Sequence, residues 1–156
     1  MQSLPAKLNT DNDMILSPMN LKAQLSSEEY PVFTSTITAG FPSPAEDYIE
    51  MGIDLNEHLV QHKEATFFLR VKGDSMTGLG ILNEDLLVVD RSLPVKDGNI
   101  VIAAIDGEFT VKQLVRNRDG YCLKAANPEY QDIIIGPEDD LEVFGVVRWA
   151  IHKLWP

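Results

Sequence analysis

Asn99-Ile-Val-Ile-Ala-Ala-Ile105, then Asp106-Gly107, then Glu108-Phe-Thr-Val-Lys112-Gln-Leu-Val115: this stretch decides the fold. Two apolar, β-branched runs flank an Asp-Gly pair. A two-residue hairpin turn of type I′ needs positive φ at both central positions, and Asp followed by Gly tolerates that better than almost any other pair. The stretch therefore predicts an antiparallel hairpin. In its second arm the period-two alternation of a strand puts Thr110, Lys112 and Leu114 on one face.

Outward from this hairpin the pattern stays β. Strands are expected at Thr66 to Lys72, Leu86 to Asp90, Tyr121 to Ala125, Ile133 to Ile135 and Leu141 to Trp155, the last bent at Gly145. Asp119 and Gly120 mark a second hairpin. Helix signals are few. Ser43 with Glu46 makes a capping box around Pro44 and predicts a short helix to about Met51. Asp54 with Glu57 offers a second start, through about Gln61. Strands far outnumber helices, so residues 40–156 are expected to form a mainly β domain with a curled or barrel-like sheet.

Residues 1–39 differ in composition. They are rich in Ser, Thr, Asn and Asp, carry Pro5, Pro18 and Pro31, and show no sustained periodicity, which predicts an extended N-terminal arm without its own core. A helical turn or two fits residues 19–29, and the β-branched stretch Val32 to Thr38 prefers to be extended. So short an arm leaves no room for a winged-helix head and linker, and a DNA-reading head is expected to be absent.

Charge and composition narrow the function classes. Thirteen Lys and Arg face 24 Asp and Glu, a net charge of -11 and a pI near 4.5. Such acidity argues against direct grip on DNA phosphates. No apolar run is long enough to span a membrane and no basic-then-apolar leader opens the chain, so a soluble, cytoplasmic protein is expected. Cys122 is the single cysteine, which excludes an internal disulfide and a Cys-based zinc cluster. With only His58, His62 and His152 besides, neither metal nor cofactor is expected. His58 and His62, at helical spacing, read as a solvated face. Cys122, between Tyr121 and Leu123, reads as small core packing, while Trp149 and Trp155 fit either the core or a subunit contact.

Chemistry concentrates at two places. Gly73-Asp74-Ser75-Met76 follows a strand and precedes a turn with Gly78 and Gly80. A serine on such a turn can project its hydroxyl into a cleft, where the amides of Asp74 and Ser75 could converge on a developing oxyanion. Alone, a Gly-Asp-Ser turn is usually only a turn. Lys112 adds weight, because lysine is a poor choice for a half-buried strand between apolar residues. Burial without a carboxylate disfavours its charged form and yields a neutral amine able to act as base toward a serine, with Thr110 placed to orient it. The alternative is an edge position with its head in water.

Several ordered motifs together resemble the LexA and UmuD family of self-cleaving serine peptidases, most closely its UmuD-type subunits of translesion polymerases. They are Ala39-Gly40-Phe41-Pro42-Ser43-Pro44-Ala45, Ile53-Asp54-Leu55-Asn56, Gly73-Asp74-Ser75-Met76, Gly107-Glu108-Phe109-Thr110-Val111-Lys112, and Val143-Phe144-Gly145-Val146-Val147. The resemblance implies Ser75 as nucleophile, Lys112 as its general base, and the Ala39–Gly40 bond of the same molecule as substrate. It further implies an SOS-response autoprotease stimulated by a RecA filament on single-stranded DNA. Loss of residues 1–39 would leave residues 40–156 as a homodimer that joins a UmuC-like Y-family polymerase. The sequence departs from the UmuD type at Ala39, where Cys is common, and in its long arm. Two other classes stay open: a LexA-like or phage-type repressor whose DNA-binding head is missing, and a non-catalytic β domain that only binds partners.

Overall fold

The computed structural model describes residues 29–33, 39–40 and 49–156. They fall into two compact units, one ending at Gln61 and the other running from His62 to Pro156.

In the first unit, strands β1 (Glu29–Phe33) and β2 (Ile49–Asp54) pair antiparallel, with Tyr30 opposite Ile53 and Val32 opposite Met51. Asp54 then caps the short helix α1 (Leu55–Leu59): its Oδ1 accepts from the amides of Asn56 at 2.9 Å and Glu57 at 3.4 Å. This helix was expected. The helix expected up to Met51 lies largely outside the described residues, and the part inside, Ile49 to Met51, is strand. Cross-strand bonding to β1 outweighs a local capping signal there, and Gly52 disfavours helix. Of the extended stretch expected at Val32 to Thr38, Val32 and Phe33 lie in β1 and the remainder falls outside the described residues. Of residues 19–29, Glu29 alone is described, and it opens β1.

The second unit is one seven-stranded antiparallel sheet. Its strands are β3 (Thr66–Arg70), β4 (Leu86–Asp90), β5 (Ile100–Ile105), β6 (Glu108–Asn117), β7 (Gly120–Lys124), β8 (Ile133–Ile134) and β9 (Leu141–Ile151). The spatial order is β3-β4-β9-β5-β6-β7-β8. The Asp-Gly hairpin forms as the sequence requires: Ile105 pairs with Glu108, and Asp106 and Gly107 take φ of 49° and 84°. The second hairpin turns one residue earlier than expected. Asn117 pairs with Gly120, so Arg118 and Asp119 form the loop, and the Asn117 side chain accepts from the Asp119 amide at 3.0 Å.

The sheet curls because β9 carries two bulges. Phe144 is the extra residue between the Ala103–Val143 and Ile102–Gly145 pairs, and Arg148 between the Val89–Val147 and Val88–Trp149 pairs. The bend expected at Gly145 thus coincides with a bulge. The strand stops at Ile151 rather than Trp155, after which His152 Nδ1 meets the buried Asp85 carboxylate at 2.7 Å and Trp155 stands 83% exposed.

Curling buries both faces of the central strands. Along β5, Ile102 and Ala104 join a cluster with Phe67, Met76, Leu87 and Phe144, while Val101 and Ala103 join Leu114 and Leu123 on the other side. An almost uninterrupted apolar run in β5 is the consequence of two buried faces. His58 and His62 are both exposed, as expected of a solvated face, but His62 also turns inward: its Nδ1 lies 2.5 Å from Oδ2 of Asp90, which is 1% exposed. Burial alone would raise the Asp90 pKa, but bonds from Ser92 and His62 outweigh it and hold the carboxyl below its ordinary range.

Candidate active site

The turn after β3 is built to present a side chain. Gly73 takes φ of 101°, a conformation that favours glycine, and donates its amide to Asn83 Oδ1 at 2.7 Å. Met76, 1% exposed, plugs into the core and pins the turn from below. Between them Asp74 is exposed and Ser75 half-buried. The single 3₁₀ turn Thr77–Leu79 follows and ends on Gly80 in the left-handed region.

Lys112 enters from β6. Its residue is 7% exposed, and its Nζ lies 2.9 Å from Ser75 Oγ, 2.8 Å from Thr110 Oγ1 and 3.0 Å from the Val111 carbonyl oxygen. The structure therefore brings together Ser75, Lys112 and Thr110, which the sequence had singled out separately. Burial lowers the Lys112 pKa from its ordinary value. In the neutral amine two N–H bonds and one lone pair must serve three partners. The Val111 carbonyl can only accept, and Thr110 Oγ1 can accept, so those two take the N–H bonds. The lone pair then points at the Ser75 hydroxyl, whose proton it is placed to receive.

A second loop, which the sequence did not flag, holds the turn from outside. The Ala126 amide donates to the Ser75 carbonyl at 2.8 Å, and the Gly78 amide to the Ala126 carbonyl at 2.6 Å. Asn127 Nδ2 donates to the Asp74 carbonyl at 2.9 Å, and the Tyr130 hydroxyl to Asp74 Oδ1 at 2.5 Å. Asp74, expected to matter through its amide, is thus also gripped by its carbonyl and carboxylate. The nearest available signal was the polar cluster Asn127-Pro128-Glu129-Tyr130, which reads only as a loop. Cys122 remains half-buried on β7. Burial, reinforced by the Asp132 carboxylate, pushes its thiol pKa up, which disfavours a thiolate.

Residues 31–148 match the Peptidase S24-like family. The chain belongs to that family. Among curated S24-like relatives, Protein ImpA of Salmonella typhimurium is 48% identical over 124 residues, spanning 79% of this chain and 83% of that protein. Protein SamA of Salmonella typhimurium strain LT2 is 47% identical over 79% of this chain and 85% of its own. Protein MucA of Escherichia coli is 45% identical over 78% and 83% respectively. No helix among the described residues of this S24-like chain is long and apolar enough to cross a membrane.

Proposed function

We propose that the protein is a self-cleaving serine peptidase in which Ser75 is the nucleophile, Lys112 the general base, and the Ala39–Gly40 bond the substrate. The observation that carries this reading is the 2.9 Å approach of a buried lysine amine to a serine hydroxyl on a glycine-shaped turn. Neutral Lys112 takes the Ser75 proton as Oγ attacks the Ala39 carbonyl carbon. The amides of Asp74 and Ser75 receive the oxyanion. The lysine, now an ammonium, returns the proton to the Gly40 nitrogen as the peptide bond breaks. Water, activated by the same amine, then releases the acyl group from Ser75. Thr110 orients the amine throughout.

The resemblance to UmuD-type subunits extends this reading to the cell. Cleavage is stimulated by a RecA filament on single-stranded DNA during the SOS response, in the cytoplasm. Residues 40–156 then act as a homodimer that joins a UmuC-like Y-family polymerase in error-prone translesion synthesis. An acidic chain suits binding to those proteins rather than to DNA.

The test is incubation of purified protein alone, followed by gel analysis and N-terminal sequencing. The larger product should begin Gly40-Phe41. Ala39 and Gly40 are both exposed, so the bond is open to attack. Gly40→Glu should block processing, because a carboxylate next to the scissile bond would pair with Lys112 and favour its protonated form. Gly40→Ala, adding a methyl without charge, should be milder. Normal cleavage of Gly40→Glu between residues 39 and 40 would overturn the docking of this bond.

The rate without RecA should climb about tenfold per pH unit from near neutrality, the slope of one ionisation, and level off above the Lys112 pKa. Because burial lowers that pKa, the plateau should begin below the value of an ordinary lysine. A rate that stayed flat or fell between about pH 7 and 10, with the fold intact by circular dichroism, would remove lysine from the mechanism.

A further inference from the structure

Asp74 poses a problem for a neutral lysine base. It sits one residue before Ser75, whose hydroxyl meets Nζ, and a carboxylate free to swing toward Lys112 would stabilise the protonated amine. The carboxylate is not free. Tyr130 donates its hydroxyl to Asp74 Oδ1, Asn127 donates its amide to the carbonyl of the same residue, and the Ala126 backbone fastens the turn on either side. Resting on the Ser75–Lys112 reading above, we propose that Tyr130 and Asn127 are positioning residues that hold the nucleophile turn with the Asp74 carboxylate turned away from Lys112.

The surroundings of Lys112 make Asp74 the carboxylate that matters. Across the pair, β5 offers Val101 opposite Lys112 within the wholly apolar segment Ile100–Ile105. Along β6, the charged residues Glu108 and Arg116 each lie four positions away from Lys112. Lys124 of β7 lies across from Gln113, not Lys112. The nucleophile turn adds Asp74 and, before it, the exposed Lys72. Burial alone accounts for the lowered Lys112 pKa, as expected if the Asp74 charge is held aside. The bond to Asp74 raises the Tyr130 pKa, which favours the protonated phenol, the form that donates.

The experiment titrates Lys112 directly by carbon-13 NMR of its Cε, in the full chain carrying Ser75→Ala so that no cleavage intervenes. Tyr130→Phe should raise the Lys112 midpoint by about one pH unit, the influence expected of one nearby carboxylate. Asn127→Ala should move it the same way by less. Adding Asp74→Asn to Tyr130→Phe should return the midpoint to that of the parent. In the Ser75 protein, Tyr130→Phe cleavage should fall several-fold near pH 8 and recover near pH 10. A midpoint unmoved by Tyr130→Phe, or a shift that persists with Asp74→Asn, would overturn the proposal; general loosening of the fold would give the latter. If the Ser75 protein never cleaved itself, the peptidase reading would fail, while the titration would still decide the role of the clamp.

Discussion

Lys112→Ala is expected to abolish self-cleavage, and so is Ser75→Ala. A positioned general base contributes about 10²- to 10⁴-fold, and a missing nucleophile leaves nothing for that base to activate. Ser75→Cys should retain some activity, since a thiol is a competent nucleophile in the same place. Processing of Lys112→Ala at the wild-type rate would refute the pairing. The fold should survive each change, because the bonds of Nζ all lie inside the site.

Stability gives the same lysine a second signature. Its pKa is lowered in the folded chain, so between that lowered value and the ordinary lysine value the unfolded chain binds more protons. Stability therefore rises with pH across that window. Below it, the full penalty of a buried charge applies. Lys112→Met, which keeps the volume and removes the amine, should be more stable than wild type at neutral pH, with the gap closing as pH rises toward that of a free lysine. Urea unfolding at several pH values measures this, and a pH-independent gap would contradict it.

Gly78→Ala is the other change with a large expected effect. A Cβ built on Gly78 would stand 2.4 Å from the Ala126 carbonyl oxygen and 3.2 Å from its carbon, both backbone atoms that no rotamer change can move. The Gly78 amide bonds that same oxygen at 2.6 Å, so relieving the clash breaks the contact. The cost should be about 2–4 kcal/mol from overpacking and a lost backbone hydrogen bond. Self-cleavage should fall by at least about tenfold, because Ala126 also holds the Ser75 carbonyl and a small misplacement of a reacting group is costly. Gly80→Ala makes a useful contrast: its Cβ would meet nothing within 4 Å, and its penalty is backbone strain at φ of 80°. Equal stability of Gly78→Ala and wild type in urea would show that the two loops are not locked together.

What could be read in the sequence was what local chemistry dictates. Asp106-Gly107 specifies its own turn, and the strands beside it follow from β-branched runs. Lys112 was conspicuous because a charge is out of place in such a run. The clamp was invisible for the opposite reason. Asn127 and Tyr130 are ordinary loop residues, and they reach Asp74 across 53 and 56 positions of chain. The same holds for His62 and Asp90, 28 positions apart, whose pairing no spacing rule announces. The helix to which the Ser43 and Glu46 capping box pointed does not reach its expected end, since Ile49 and Met51 pair with β1. Nor does the sequence state the strand order, since β9 could have been an edge as easily as the strand between β4 and β5.

That placement bears on when Ser75 and Lys112 can come together. Protein synthesis runs from the N-terminus, so β9 is made after β3 to β8, yet it is the one that joins β3-β4 to β5-β6. The turn bearing Ser75 follows β3, and Lys112 sits on β6, so the proposed nucleophile and base belong to halves of the sheet that β9 joins by strand pairing. A nascent chain has Ser75, Lys112 and the Ala39–Gly40 bond before it has the strand that joins the two halves in which Ser75 Oγ and Lys112 Nζ meet at 2.9 Å. On the proposed reading, self-cleavage of the arm must therefore wait until β9 has docked.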